Sequence, residues 1–203
     1  MALSIYQLKP RFQALLRPWA DSLAARGVSA NQVTLAAALL SLIWGGALAL
    51  WPGAALPLLG LPLVLFARMA LNALDGMLAG EHGQASKLGA ILNELGDLVS
   101  DAALYLPFAL IPGVPGALVV LLMTLALIGE AAGMLAPSLG ASRRYDGPLG
   151  KSDRAFLFGF LALLLGLGLA PGGWLDLLLW LALALGLLTL VNRVRRALKE
   201  AGP

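Results

Sequence analysis

Asn72, Asp75, Asn93 and Asp97 are the side chains in this 203-residue sequence whose types and spacing could do chemistry. They stand in the stretch N-A-L-D-G-M-L-A-G-E-H-G-Q-A-S-K-L-G-A-I-L-N-E-L-G-D-L-V-S-D (72–101), inside two segments otherwise apolar enough to be membrane helices. An ionisable group in hydrocarbon is costly and marks a functional site by default. Asn72 and Asp75 are three apart and Asn93 and Asp97 four apart, so each pair shares one helical face. Counting a rise of ~1.5 Å per residue from the helix ends nearest residues 80–87, Asp75 lies ~6 Å, Asn93 ~8 Å, Asn72 ~10 Å and Asp97 ~14 Å deep. Glu130, on the next span, lies ~10 Å deep. One hollow could gather all of these groups, and such a cluster is unfavourable unless a cation compensates it. The ligands are oxygens, with no His or Cys among them, which favours a hard divalent ion such as Mg²⁺ or Mn²⁺.

The order D-G-x-x-A, then G-x-x-x-N-x-x-x-D, resembles the signature of the CDP-alcohol phosphotransferase (CDP-alcohol phosphatidyltransferase) family of integral membrane enzymes. The family pattern is D-x-x-D-G-x-x-A-R and, after a short loop, G-x-x-x-D-x-x-x-D. Asp75, Gly76, Ala79, Gly89 and Asp97 match it, whereas Asn72 and Asn93 stand at aspartate positions and Gly80 at the arginine position. An asparagine can lend a carbonyl oxygen to a metal, but it brings no charge and cannot take a proton as a base.

The resemblance implies transfer of a phosphatidyl group from CDP-diacylglycerol to the hydroxyl of a small alcohol, releasing CMP, in phospholipid biosynthesis. It implies that Asn72, Asp75, Asn93 and Asp97 hold one or two Mg²⁺ or Mn²⁺ ions. Asn72, Asp75, Gly76, Ala79 and Gly89 would then hold the donor, the small residues letting the nucleotide approach the backbone. Asp97, at the fourth aspartate position, is the candidate general base. Ordinary helix packing by small residues is the alternative for Gly76, Ala79 and Gly89, and a structural carboxylate the alternative for the two acids.

The loop S-R-R-Y-D-G-P-L-G-K-S-D-R (142–154) contains a G-K-x-x-R-like run at Gly150, Lys151 and Arg154, similar to that of family members with phosphorylated acceptors. Lys151 and Arg154 would bind the phosphate of an acceptor such as glycerol 3-phosphate or an inositol phosphate. The bland reading of these cations is membrane topology and contact with anionic headgroups. V-S-A-N-Q-V-T (28–34) is similar to the family's P-N-x-x-T run, though Ser29 or Asn31 as a plain helix N-cap also explains it. Family members are expected to be homodimers.

Composition sets the frame that must position these groups. The chain is 60% hydrophobic and 12% charged, about half the charge of a soluble domain, with mean hydropathy +0.86. The expected fold is all-α and polytopic: about six transmembrane helices, at 32–51, 56–79, 88–111, 115–137, 154–170 and 174–192, each near 20 residues. A single domain (1–203) is expected, with an interfacial segment (1–30) ahead of the six-helix bundle (32–192). In that segment Ile5, Leu8, Phe12, Leu15, Leu16, Trp19 and Leu23 recur at helical spacing among Lys9, Arg11, Arg17 and Asp21, with Pro10 and Pro18 expected to break it into pieces.

Lys and Arg avoid the turns 51–55, 112–116 and 170–174 and populate every other connection. The positive-inside rule therefore places both termini and the active site on the cytoplasmic side, consistent with a bacterial inner membrane. No signal peptide is evident. The net charge of +3 follows from topology, so nucleic acid is not an expected partner. Arg68, at the depth of Asp101 on the neighbouring helix, is expected to pair with it, since either charge alone is costly there. Two other functions fit less of the pattern. A degenerate member would bind nucleotide or lipid without turnover, and a transporter would need polar residues through the whole membrane depth.

Overall fold

The computed structural model describes residues 5–202. The first four residues of the expected interfacial segment, and Pro203, lie outside them. Among the described residues there are seven α-helices and no strand: α1 (Ile5–Ala25), α2 (Ala30–Leu50), α3 (Ala55–Glu81), α4 (Lys87–Tyr105), α5 (Gly116–Leu135), α6 (Lys151–Gly166) and α7 (Gly173–Ala201). The all-α reading holds.

α2, α3, α5 with its following turn, and α7 are long and apolar enough to cross a membrane. The other two expected spans differ for identifiable reasons. α6 has 16 residues, a length of about 24 Å against a core of about 30 Å. α4 carries Lys87, Glu94, Asp97 and Asp101. The expected span 88–111 ends its α-helix at Tyr105 and continues as the tight turn Leu106–Leu110. Pro107 has no N–H for the α-helical ladder. Pro137 acts likewise in the turn Ala136–Leu139 after α5.

The chain forms two compact units, one of residues 1–43 and 63–101, the other of 44–62 and 102–203. In the first, α1 is a single unbroken helix through Pro10 and Pro18, contrary to the expected break. Packing accounts for the difference. Ala20 is fully buried, and Leu16, Leu23 and Ala24 pack with it against Ala30, Val33, Leu74, Met77 and Leu78. Burial of that stripe offsets the hydrogen bond Pro18 cannot make. Arg17 forks onto Glu81, with both contacts at 3.0 Å, and ties α1 to the end of α3. Ser29 and Gln32 form a reciprocal cap on α2: the Ser29 N–H donates to Gln32 Oε1 at 2.8 Å, and the Gln32 N–H to Ser29 Oγ at 3.2 Å.

In the second unit α5 packs along α7. Gly186 makes this possible, since a Cβ there would lie 3.2 Å from Leu125. Tyr105 and Phe158 stack at 4.4 Å, and Phe108 meets Phe158 edge-on at 5.1 Å. Gly147, at φ +125°, brings the 140–150 loop so close to Thr189 that a Cβ would sit 2.6 Å away. Thr189 Oγ1 accepts the Leu149 N–H at 2.9 Å, fixing that loop to α7.

Candidate active site

α3 and α4 run antiparallel on either side of the turn 82–86, and their polar residues meet in successive layers one helical turn apart. In the deepest layer Arg68 Nη1 donates to Asp101 Oδ1 at 2.6 Å, with both side chains only 4% exposed. This is the ion pair expected from their shared depth. One turn nearer the loop, Asn72 Nδ2 donates to Asp97 Oδ1 at 3.0 Å. Arg68 Nη2 reaches the same oxygen at 3.3 Å and the Asp97 carbonyl at 3.2 Å.

A further turn brings Gly76 level with Asn93, and the next brings Gly80 level with Gly89. Three of these four residues lack a Cβ, and here the helix pair opens. A hollow of about 160 Å³ lies between the start of α2, the end of α3, the turn and the start of α4. α2 contributes Ala30, Asn31 and Thr34 to its lining, α3 contributes Asp75, Gly76 and Ala79, and α4 contributes Gly89, Ala90 and Asn93. A Cβ built on Gly76 meets nothing within 4 Å, whereas one on Gly89 would lie 2.7 Å from Asn31 Oδ1.

Asp75 is the buried carboxylate of the hollow, 3% exposed. Thr34 Oγ1 lies 2.8 Å from Asp75 Oδ2 and 3.1 Å from the Ala30 carbonyl. Its one proton favours the shorter contact, to the charged acceptor. The turn is tied down by Gln84, whose Oε1 accepts the Ala30 N–H at 2.6 Å and whose Nε2 donates to the Val28 carbonyl at 3.3 Å. Ser86 Oγ accepts the Gly89 N–H at 2.9 Å and caps α4.

Of the residues singled out from sequence, Asp75, Gly76, Ala79, Gly89 and Asn93 line the hollow together. Asn72 and Asp97 form the layer beneath it, and the Asp97 side chain keeps 25% exposure. Glu130 differs from expectation. Its carboxylate accepts from Arg154 Nη2 at 2.9 Å and lies 3.2 Å from Arg193 Nη1, so two guanidiniums already compensate it. Arg154 is buried, while Lys151 is half-buried at the first turn of α6. Both belong to the second unit.

Gln84 and Ser86 carry no signal of their role in the sequence, since no feature of a short polar turn distinguishes them. Thr34 was within reach, since it ends the 28–34 run and stands one turn after Ala30.

The donor chemistry decides what the hollow could hold. Among the described residues no three His, Cys, Asp or Glu side chains converge as a ligand set. What lines the hollow is one carboxylate, Asp75, with the amides of Asn31, Gln84 and Asn93 and the hydroxyls of Thr34 and Ser86. Such hard oxygen donors fit one hard divalent cation that keeps part of its water or takes ligand oxygens.

The chain is 48% identical over 198 residues to the inner membrane protein YnbA of Escherichia coli (strain K12), covering 97% of each. Its fold is similar to crystal structures of the phosphatidylinositol phosphate synthase PgsA1 of Mycobacterium tuberculosis. One, in complex with manganese and citrate, superposes with TM-score 0.73 at 22% identity, covering 89% of this chain and 87% of that one. Another, with CDP-DAG bound, gives TM-score 0.73 at 20% identity over 89% and 92%. The sequence profile described as CDP-alcohol phosphatidyltransferase matches residues 27–188, a stretch that takes in every residue of the hollow. The chain belongs to the CDP-alcohol phosphatidyltransferase family and is a transferase.

Proposed function

We propose that the chain moves a phosphatidyl group from CDP-diacylglycerol to the hydroxyl of a small alcohol, releasing CMP, at the hollow between α2, α3 and α4. The observation that carries this reading is the convergence of Asp75, Gly76, Ala79, Gly89 and Asn93 on one cavity. CDP-DAG in the similar mycobacterial synthase supports the donor, and manganese in the same protein supports a divalent ion. Asp75 and Asn93 would hold Mg²⁺ or Mn²⁺, which would supply neutralisation of charge on the donor diphosphate.

The chain's own residues do the rest. Gly76, Ala79 and Gly89 leave the helix backbones open to the nucleotide. Thr34 and Gln84 hold Asp75 and the 82–86 turn in place. Asp97, oriented by Asn72 and Arg68, accepts the acceptor's proton as its oxygen attacks phosphorus and the bond to CMP breaks. Asn72 serves through Asp97 rather than as a direct metal ligand.

The acceptor is of the glycerol 3-phosphate or inositol phosphate type. Lys151 supplies a cation for its phosphate, and Arg154 contributes to that region through its bond to Glu130. The matched stretch 27–188 runs through both compact units, which supports their working as one domain. The likeness to an inner membrane protein and the placement of Lys and Arg support a multi-pass inner-membrane chain with cytoplasmic termini and site. Homodimerisation belongs to the same reading.

The purified protein, given CDP-diacylglycerol with Mg²⁺ or Mn²⁺, is expected to release CMP with at least one of glycerol 3-phosphate, inositol phosphate, glycerol, serine and phosphatidylglycerol. Absence of CMP with every acceptor, with nucleotide still bound, would instead show a member that binds without turnover.

A further inference from the structure

We infer that this chain holds a single divalent cation, at the level of Asp75 and Asn93, and that Arg68 serves as the fixed cation of the layer beneath. The inference rests on the phosphatidyl-transfer reading and specifies its metal content. Asn72 and Asp97 stand 3.0 Å apart, with the amide nitrogen as donor, the only orientation in which an asparagine satisfies a carboxylate. An aspartate at 72 would set two carboxylates at that separation, a repulsion that a shared cation or proton must relieve. Here the layer is closed without one, because Asn72 and Arg68 both donate to Asp97 Oδ1.

The test is to titrate Mn²⁺ into the purified full-length protein in detergent. Bound ion is counted by equilibrium dialysis, its spin coupling read by EPR, and CMP release measured on the same sample. Saturation at one ion per chain, with an uncoupled spectrum, is expected for the wild type. The double variant Asn72→Asp/Asn93→Asp is expected to take two ions with a spin-coupled spectrum.

Two coupled ions in the wild type, with CMP still released, would overturn this inference and leave the transferase reading standing. No bound ion together with no CMP release would overturn both. A folded double variant that still binds one ion would remove residues 72 and 93 from the explanation. The wild-type count decides the stoichiometry whether or not the double variant folds.

Discussion

Asn72 donates its side-chain amide to Asp97 across 3.0 Å, and Arg68 shares the same carboxylate oxygen. The Asp97 carboxylate, one helical turn beyond Asn93, is thus oriented by two donors on α3. Removing the amide frees Asp97 to rotate without exposing a new buried charge, because Arg68 remains. Asn72→Leu is expected to lower CMP release by about 10- to 100-fold, the range for partners that orient a site residue. The melting temperature should move less than in an Arg68 variant. Unchanged turnover would show that Asp97 needs no such orientation.

Arg68 and Asp101 form the deepest layer, each 4% exposed, at 2.6 Å. Arg68→Met takes the guanidinium away from the buried Asp101 carboxylate and is expected to cost about 3–5 kcal/mol. Asp101→Asn leaves Arg68 with Asp97 as a remaining carboxylate partner, so it should cost less, and the double variant less than the sum. Thermal unfolding in detergent gives the cycle. Additive losses would mean that the two side chains do not stabilise each other.

Thr34 and Asp75 offer a finer test. Thr34→Val keeps the shape of the side chain and removes the donor to Asp75 Oδ2. A hydrogen bond to a charged group contributes about 1.5–3 kcal/mol, so half-maximal activity should need roughly tenfold more Mn²⁺. Thr34→Ser should restore the wild-type requirement. A Val variant with an unaltered Mn²⁺ requirement would detach Thr34 from the ion site.

The layers were partly legible in the sequence because helical spacing and burial cost act locally. Asn72 with Asp75, Asn93 with Asp97, and Arg68 opposite Asp101 all follow from the rise per residue and the expense of charge in hydrocarbon. What Asn72 faces was not legible. A lone asparagine reads equally as an oxygen donor or a nitrogen donor, and its contact with Asp97 comes from the pairing of α3 with α4. Glu130 groups with the other acids by its position along the chain, whereas its carboxylate is compensated by Arg154 and Arg193. Its partner Arg193 lies far along the chain, and nothing local ties the two. Pro18 reads as a helix breaker because propensity is local, while the apolar stripe centred on Ala20 that holds α1 together is tertiary.

The loop network supplies a pH dependence. The Arg144 guanidinium hydrogen-bonded to Asp146, with Arg196 adding its charge, holds the Asp146 carboxyl below the usual aspartate range. Glu200 also accepts from Arg144. A carboxyl whose folded pKa is depressed stabilises the fold fully above its unfolded value of about 3.9. That contribution fades as pH falls through the lower folded value. Between about pH 5 and about pH 3 the wild type should therefore lose more thermal stability than Asp146→Asn. Parallel curves for the two proteins would show that this network does not contribute.

Whether the hollow between α2, α3 and α4 is where CMP is released is tested most directly by turnover of Asp75→Asn. This substitution preserves shape and the contact with Thr34 while removing the one carboxylate that lines the cavity. With CDP-diacylglycerol, Mn²⁺ and the acceptor that the wild type uses, CMP release is predicted to fall by more than about 100-fold. Bound Mn²⁺ should be lost as well, with the melting temperature in detergent nearly unchanged. Wild-type CMP release from a folded Asp75→Asn protein would contradict the assignment and move the chemistry elsewhere in the molecule.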